Sequence, residues 1–163
     1  MIDGVRVIDI KKNIDERGFF AEVARKDWGD FFEDQWLKQV NLTYSYPGII
    51  RAWHRHEKGQ IDHFMVLKGS MKIVIYDDRK SSKTKGELNE FVLSGEKLQV
   101  IRVPGACWHG TKTVSSEPSI SFYFVNNLYD YKNPDEERVP WNSDKIIDSK
   151  TGKPYDWNKS PHK

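Results

Sequence analysis

The chain has 163 residues, the size of one ordinary domain and enough to bury a core without metal or disulfide staples. Its 26 basic and 24 acidic side chains are interspersed and leave a net charge of +2, without the basic stripe that a nucleic-acid backbone requires. One cysteine excludes an intrachain disulfide, and no apolar run is long enough for a signal peptide or a membrane span. We therefore expect a single cytoplasmic domain over 1–163 that binds neither nucleic acid nor membrane.

Strand patterns dominate the chain, beginning with VRVIDI at 5–10 and FFAEVAR at 19–25. Residues 24–36 form the only stretch with helix-compatible spacing, and Gly29 keeps that helix short. Further strands follow between turn residues, at 37–46, 49–56, 62–69, 71–79, 88–94, 97–105 and 119–126. Short strands with regular Gly, Pro and Asn punctuation predict an all-β sandwich or barrel of the jelly-roll type, with one short helix.

From Asn126 the chain becomes polar, and we expect an irregular C-terminal tail that crosses the barrel surface. Large aromatic side chains need cover, so the tail is expected to be ordered and to end in loose residues. The aromatic residues concerned are Tyr129, Tyr131, Trp141 and Trp157.

The densest polar cluster lies in RAWHRHEKGQIDHF, at 51–64. His54 and His56 are two residues apart on a strand and must share a face. Arg51 lies on the opposite face unless a bulge intervenes. Two histidines on one face, with Asp62 on the next strand, indicate a functional site rather than ordinary rim residues.

A further histidine, His109, follows Pro104-Gly105, and the spacing resembles the two-motif pattern of cupins. By ligand type alone, His54, His56, Asp62 and His109 are suited to Fe, Mn, Ni or Zn. The acid of the first cupin motif is usually Glu, however, and many cupins use these positions without metal. We therefore expect no metal and no other cofactor.

Several ordered stretches together resemble the nucleotide-sugar epimerases typified by dTDP-4-dehydrorhamnose 3,5-epimerase, a family of the cupin superfamily. The resemblance runs from Gly4 to about Trp157. It implies a cupin jelly-roll barrel and a homodimer whose N-terminal strands reach into the partner. The matching stretches are DERGFFAE, QVN, GIIRAWH, Gln60, YDDRKSSKTKGE, LSGEKLQVIRVPG, WHG and DEERVPWN.

The resemblance also implies site residues. His54 falls on the family's catalytic base, Tyr123 on its catalytic acid, and Tyr131 on a second tyrosine that contacts the ligand. Arg17 matches the residue that contacts the nucleotide diphosphate. Phe20 and Glu22 match the residues that hold the base of the nucleotide. The remaining matches face the phosphates or the sugar, or line its pocket: Gln39, Asn41, Arg51, Gln60 and His109.

These residue types suit the inversion of C3, C5 or both in a nucleotide-linked 4-keto-(6-deoxy)hexose. A proton next to a ketone is weakly acidic, and its removal leaves an enolate. A neutral imidazole takes the proton on one face, and a phenol on the opposite face returns one. Each positioned acid or base typically contributes about 10²–10⁴-fold. The product would serve polysaccharide or glycoconjugate synthesis.

Two departures from the family lead to a hypothesis about His56 and Asp62. Asp62 stands where the family has a lysine that supports the enolate, and the late Asp that pairs with the catalytic histidine is missing. We hypothesise that Asp62 orients and charge-stabilises a histidine while His56 donates to the enolate oxygen.

Three other functions fit the same residues. A sugar 3,4-ketoisomerase is compatible with the paired His54 and His56. A metal-dependent cupin enzyme would use these two residues with His109. A sugar-nucleotide binding module without catalytic activity would keep DERGFFAE and bind the nucleotide diphosphate without exchanging protons.

Overall fold

The computed structural model describes residues 1–32 and 37–159. Within these two ranges a four-residue helix, α1 (Gly29–Phe32), interrupts a series of strands. The strands are β1 (Arg6–Asp9), β2 (Asn13–Asp15), β3 (Gly18–Phe20), β4 (Gln39–Ser45), β5 (Ile50–Arg55), β6 (Ile61–Lys68), β7 (Ser70–Tyr76), β8 (Leu88–Ser94), β9 (Gln99–Pro104), β10 (Trp108–Thr113), β11 (Ser119–Val125), β12 (Glu137–Arg138), β13 (Ile147–Asp148) and β14 (Lys153–Pro154).

The strands form two five-stranded antiparallel sheets. The first sheet has the order β1-β9-β6-β11-β4 and the second the order β12-β5-β10-β7-β8. Two small hairpins, β2–β3 and β13–β14, lie outside them. Consecutive strands β5, β6 and β7 alternate between the sheets, which is typical of a jelly roll. The all-β jelly roll predicted from the sequence is confirmed.

The main core lies between the two sheets and follows the two-residue alternation of the strands. Phe64 of β6, Ile73 and Ile75 of β7, and Ile101 and Val103 of β9 share one buried cluster. Their neighbours in sequence, such as Met65 and Val74, pack on the outer faces of the sheets.

Each outer face has its own cover. Phe31 and Phe32 of α1 pack against Met65 and Val100 on the first sheet. The C-terminal tail covers the second sheet by burying three side chains against Trp53: Ile146, Tyr155 and Trp157. No helix in the described ranges has the length and apolarity that crossing a bilayer requires.

Most predicted strands are present, and three local expectations are wrong. The strand predicted over FFAEVAR ends at Phe20, where the short β2–β3 hairpin ends, and the rest of this stretch is not a strand. Strand β10 was not predicted, since Gly and Lys interrupt its apolar pattern. Of the four tail aromatics expected to need cover, only Trp157 gains full cover, whereas Tyr131 remains 89% exposed. The expectations for 33–36 and for the loose end at 160–163 lie outside the described residues.

Gly110 on β10 is required by the close approach of β5. A Cβ at this position would lie 2.3 Å from the Cβ of Ala52. We expect Gly110→Ala to lower the free energy of unfolding by about 1–3 kcal/mol, because both strands would have to shift. Gly29→Ala is the matched control, since a Cβ there meets nothing within 4 Å. Urea unfolding of both variants tests the difference, and equal midpoints would contradict it.

Candidate active site

A cavity of about 610 Å³ is lined by both sheets and by the segment that follows β11. Tyr123 of β11 and Asp62 of β6 line it from the first sheet, and His54 of β5 lines it from the second. The cavity therefore holds the imidazole and the phenol named from the sequence on walls that belong to different sheets. The other predicted residues on its lining are His56, Gln39, Asn41, Arg51, Gln60 and Tyr131.

A bulge in β5 brings Arg51 and His54 to the same cavity. His54 pairs with His109 of β10, whereas Arg51 pairs with Thr111, so β5 uses one residue more than β10 over this stretch. The extra residue breaks the ordinary alternation, and both side chains line the cavity. The sequence left this arrangement open, and the structure decides it in favour of a bulge.

Three histidine rings lie against one another at this wall. The ring centroids of His54 and His109 are 4.2 Å apart, and His56 lies 5.8 Å from each. Burial lowers the pKa of His54 well below its usual value, and the neighbouring His109, His56 and Arg138 add to this effect. His54 is therefore neutral near pH 7, the form that accepts a proton.

Asp62 lies between the other two histidines. Its Oδ2 atom is 3.4 Å from Nε2 of His56 and 3.4 Å from Nε2 of His109. Gln60 donates to Oδ1 at 3.0 Å, and its Nε2 atom lies 3.1 Å from Nε2 of His56. Burial opposes ionisation of this carboxyl, but its contacts with His109, His56 and Gln60 lower the net pKa, so Asp62 is a carboxylate.

Backbone carbonyls fix the orientation of the same two histidines. Nδ1 of His109 donates to the carbonyl of Cys107 at 2.9 Å, and Nδ1 of His56 donates to the carbonyl of Asp135. Both Nε2 atoms consequently face Asp62. The buried atoms Oδ2 of Asp62 and Nε2 of His109 have no hydrogen-bond partner among the described residues.

The ring nitrogens of His54, His56 and His109 all lie within 4.8 Å of one another, and in the described ranges of the chain this is the group able to hold a metal ion. His54 is only partly buried, whereas the other two rings are buried. His109 is fully buried behind His54 and is not among the residues that line the cavity.

Tyr123 is half-buried and packs beside Phe64, with ring centroids 5.6 Å apart. Burial raises the pKa of its hydroxyl, and the negative charges of Asp62 and Glu136 add to the effect. The phenol therefore keeps its proton near neutral pH and is able to donate it.

Polar side chains of β4 and β5 are held for contact with a polar ligand. Gln39 donates to Asn41 at 2.8 Å and accepts from the amide of Tyr129 at 2.9 Å. Arg51 donates to Ser45 at 3.1 Å. Tyr131 packs edge-to-face with Tyr129, with ring centroids 5.0 Å apart, and leaves most of its own surface exposed.

The three residues predicted to hold the nucleotide lie away from this cavity. Arg17 is in the turn between β2 and β3, with its side chain 82% exposed and paired with Asp15 at 2.5 Å. Phe20 is 66% exposed, and Glu22 pairs with Arg25 at 2.5 Å. None of the three lines the cavity of its own chain.

Two charged cavity residues, Glu136 and Arg138, were missed from the sequence. Glu136 directly precedes β12 and Arg138 lies on it, and the pairing of β12 with β5 sets Arg138 opposite His54. The carboxylate of Asp135 anchors this segment by accepting from the amides of Glu57 and Lys58 at 2.8 Å and 3.0 Å. A two-residue strand has no periodicity, so the DEERVPWN stretch was the one signal that pointed here.

The fold and the lining of the cavity define a cupin with a site for a polar ligand. Residues 1–151 match the family described as dTDP-4-dehydrorhamnose 3,5-epimerase. The chain belongs to this family of isomerases.

Two curated relatives cover nearly the whole chain. The first is the "Probable low-salt glycan biosynthesis epimerase Agl13" of Haloferax volcanii, 48% identical over 99% of this chain and 97% of its own. The spore coat polysaccharide biosynthesis protein SpsL of Bacillus subtilis is 38% identical over 90% of this chain and 94% of its own. Their names connect relatives of this chain with the synthesis of glycans and polysaccharides.

A solved structure is similar at lower identity. It is the dTDP-6-deoxy-D-glucose-3,5-epimerase of Legionella pneumophila in complex with dTDP-4-keto-L-rhamnose, with a TM-score of 0.79 and 26% identity. The match covers 89% of this chain and 77% of that one. The resemblance identified from the sequence is confirmed.

Proposed function

We propose that the protein inverts C3, C5 or both of a nucleotide-linked 4-keto-(6-deoxy)hexose, with His54 as base and Tyr123 as acid. The observation that carries this proposal is the shared cavity, which His54 lines from the second sheet and Tyr123 from the first. A sugar ring between them would present opposite faces to the two groups. The names of the relatives that act on 4-keto sugars support the substrate class.

The reaction needs one proton to leave and another to arrive. Neutral His54 takes the proton from the carbon next to the ketone, and the electron pair moves onto the ketone oxygen to form an enolate. Tyr123 then donates its proton to the other face of that carbon, and the carbonyl re-forms with inverted configuration. His54 and the phenolate exchange protons with solvent before the next turnover.

Asp62, His56 and His109 are proposed to support the enolate. From the sequence we hypothesised that Asp62 orients a histidine. The Nε2 atoms of His56 and His109 both lie 3.4 Å from its carboxylate. Protein groups already contact both ring nitrogens of His56. We therefore assign the support of the enolate to the three residues together, rather than to a hydrogen bond from His56 alone.

We propose a homodimer in which the β2–β3 hairpin of one chain completes the cavity of its partner. This hairpin exposes Phe19 and Ile14 to solvent at 56% and 77%. Strand β4 is an edge of the first sheet, and Val40 and Leu42 on it are more than half exposed. Apolar edges of this kind are usually covered in the assembled protein.

In such a dimer the hairpin would carry Arg17, Phe20 and Glu22 to the nucleotide in the partner's site. Gln39, Asn41, Arg51, Gln60 and Tyr131 would contact the phosphates and the sugar from the chain that supplies His54. Nucleotide diphosphates are highly charged and do not cross a bilayer unaided, so we propose a cytoplasmic location.

Family membership favours this reaction over the alternatives from the sequence. A 3,4-ketoisomerase, a metal-dependent cupin enzyme of another reaction class and a non-catalytic binding module all lack support from the relatives described above. The lowered pKa of His54 and the raised pKa of Tyr123 also leave the first neutral and the second protonated near pH 7, the states in which a base accepts a proton and an acid donates one.

Incubation with dTDP-, GDP- and UDP-linked 4-keto sugars in heavy water tests the function. We expect deuterium to enter at C3, C5 or both with one preferred nucleotide, because every enolate re-protonates from exchangeable groups. Mass spectrometry counts the deuterons and NMR assigns the carbon and its configuration. Absence of deuterium from all three sugars would overturn the proposal.

A further inference from the structure

We propose that the C-terminal tail positions the base of the cavity by holding Trp53 of β5. Two aromatic side chains of the tail, Tyr155 and Trp157, form the holding surface, which we call the aromatic clamp. The inference rests on the proposed epimerase function, because it concerns how His54 is placed for that reaction. Both residues of the aromatic clamp lie beyond residues 1–151, the stretch that matches the family.

Trp53 belongs to the bulge that brings Arg51 and His54 to the same cavity. Between these two residues, Ala52 and Trp53 together stand opposite a single residue of β10, Gly110. Ala52 lines the cavity, whereas Trp53 is 1% exposed and packs on the outer face of the second sheet. The conformation of this pair therefore decides whether the side chains on both sides of it reach the cavity.

The aromatic clamp packs directly on Trp53. The ring centroid of Trp53 lies 4.8 Å from that of Trp157 and 5.7 Å from that of Tyr155, and the two clamp rings are 5.1 Å apart. Aromatic pairs at such distances stabilise a structure beyond their burial alone. The indole N–H of Trp157 is buried and has no hydrogen-bond partner among the described residues, so this ring acts through packing.

The segment before the aromatic clamp holds Trp53 by hydrogen bonds. The amide of Trp53 donates to the carbonyl of Val139 at 3.0 Å, and its carbonyl accepts from the amide of Val139 at 3.1 Å. Its indole N–H donates to the carbonyl of Trp141 at 3.0 Å. The tail thus fixes both the main chain and the ring of this bulge residue.

The aromatic clamp is itself anchored to strands of the second sheet. The hydroxyl of Tyr155 donates to Glu90 of β8 at 2.9 Å. The amine of Lys112 on β10 donates to the carbonyl of Trp157 at 2.8 Å. These strands belong to the same sheet as β5, so the aromatic clamp ties Trp53 to fixed points of that sheet.

His54 depends on its strand for its position. The carboxylate of Asp62 lies beside His56 and His109, and the ring of His54 packs on the rings of these two histidines. A displacement of about 1 Å at a reacting group can cost about 100-fold in rate. Release of the bulge from the tail therefore lowers the rate of proton transfer as well as the stability of the fold.

Deuterium exchange by Trp157→Ala tests this positioning role. We expect exchange at saturating substrate to fall about 10- to 100-fold. Trp157→Phe keeps an aromatic ring in the clamp and is expected to recover exchange to within a few fold of wild type. If the alanine variant does not fold, Trp157→Leu takes its place, because leucine keeps an apolar side chain but no ring.

Leu98→Ala is the matched control. It removes a buried apolar side chain from the outer face of the first sheet, away from β5. We expect it to lower the midpoint of urea unfolding and to keep wild-type exchange. Circular dichroism establishes that each variant is folded under the conditions of the assay.

Nuclear magnetic resonance of protein with labelled histidines reports the geometry without substrate. The ring centroids of His54 and His109 are 4.2 Å apart, so their ring protons should show a nuclear Overhauser contact. We expect this contact in wild-type protein, Leu98→Ala and Trp157→Phe, and its loss in Trp157→Ala. His54→Asn assigns the signals.

The two measurements separate the two proposals. A folded Trp157→Ala protein that keeps either the contact between the rings or wild-type exchange would overturn the positioning role. Equal losses in Leu98→Ala would overturn it as well, because they would follow stability alone. Wild-type protein that exchanges no deuterium on any 4-keto sugar would instead overturn the proposed function, while the ring contact would still test the aromatic clamp.

Discussion

Replacing His54 with asparagine is expected to slow deuterium incorporation by about 10²–10⁴-fold, while substrate affinity changes by only a few fold. His54 is the neutral imidazole on the lining of the cavity, and its pKa is lowered by burial and by its charged neighbours. Without it the cavity loses the base proposed for that wall. Asparagine keeps a polar side chain of smaller size, so the contacts of the nucleotide remain.

Tyr123→Phe is the companion variant and is expected to separate exchange from inversion. His54 would still remove the proton and return a deuteron to the same face, so deuterium enters while the configuration is kept. NMR of the recovered sugar distinguishes the two outcomes at each carbon. If Tyr123→Phe inverts the sugar at the wild-type rate, or if His54→Asn still exchanges, the assignment of base and acid is wrong.

At substrate concentrations well below KM, mixed dimers of His54→Asn and Arg17→Ala chains are expected to recover activity that neither variant shows alone. In the proposed dimer the site of one chain takes its arginine from the hairpin of the other. A mixed dimer then has one site with both substitutions and one site with none. A statistical mixture should show roughly a quarter of wild-type activity. Arg17→Ala alone should bind substrate about 10- to 100-fold more weakly, the value of a hydrogen bond to a charged group.

Co-expression with two different affinity tags, removed after purification, yields the mixed dimer for assay. If Arg17 served the site of its own chain, every site would carry one substitution and the mixture would stay inactive. A wild-type protein that is monomeric by light scattering would also contradict the dimer. Arg17 is exposed and lies outside the cavity of its own chain. An inactive mixture would therefore be the result that bears most directly on which chain's site Arg17 serves.

Most strands of this chain can be predicted from the sequence, because successive side chains of a strand point to opposite faces of the sheet. Phe64 and Met65, or Ile73 and Val74, fall on opposite faces as their order predicts. The shared face of His54 and His56 follows from the same rule. Strand β10 escaped this pattern, because its residues are buried for reasons of packing between two neighbours rather than by hydrophobicity.

Contacts between distant segments account for the rest of the candidate site. The approach of Asp62 to His109 joins two different sheets, and no local spacing encodes a distance of 3.4 Å. Arg138 reaches the cavity because a two-residue strand pairs with β5 far from it in sequence. Family resemblance supplied the functional roles, but the departure at Asp62 gains a physical explanation only from its neighbours in space.

The bulge in β5 makes the backbone conformation of this stretch as important as its composition. Arg51 and His54 are three residues apart, so a strand without the bulge would place their side chains on opposite faces and turn one of them away from the cavity. A substitution elsewhere that straightened β5 would therefore remove a binding group or the proposed base from the cavity without changing either residue.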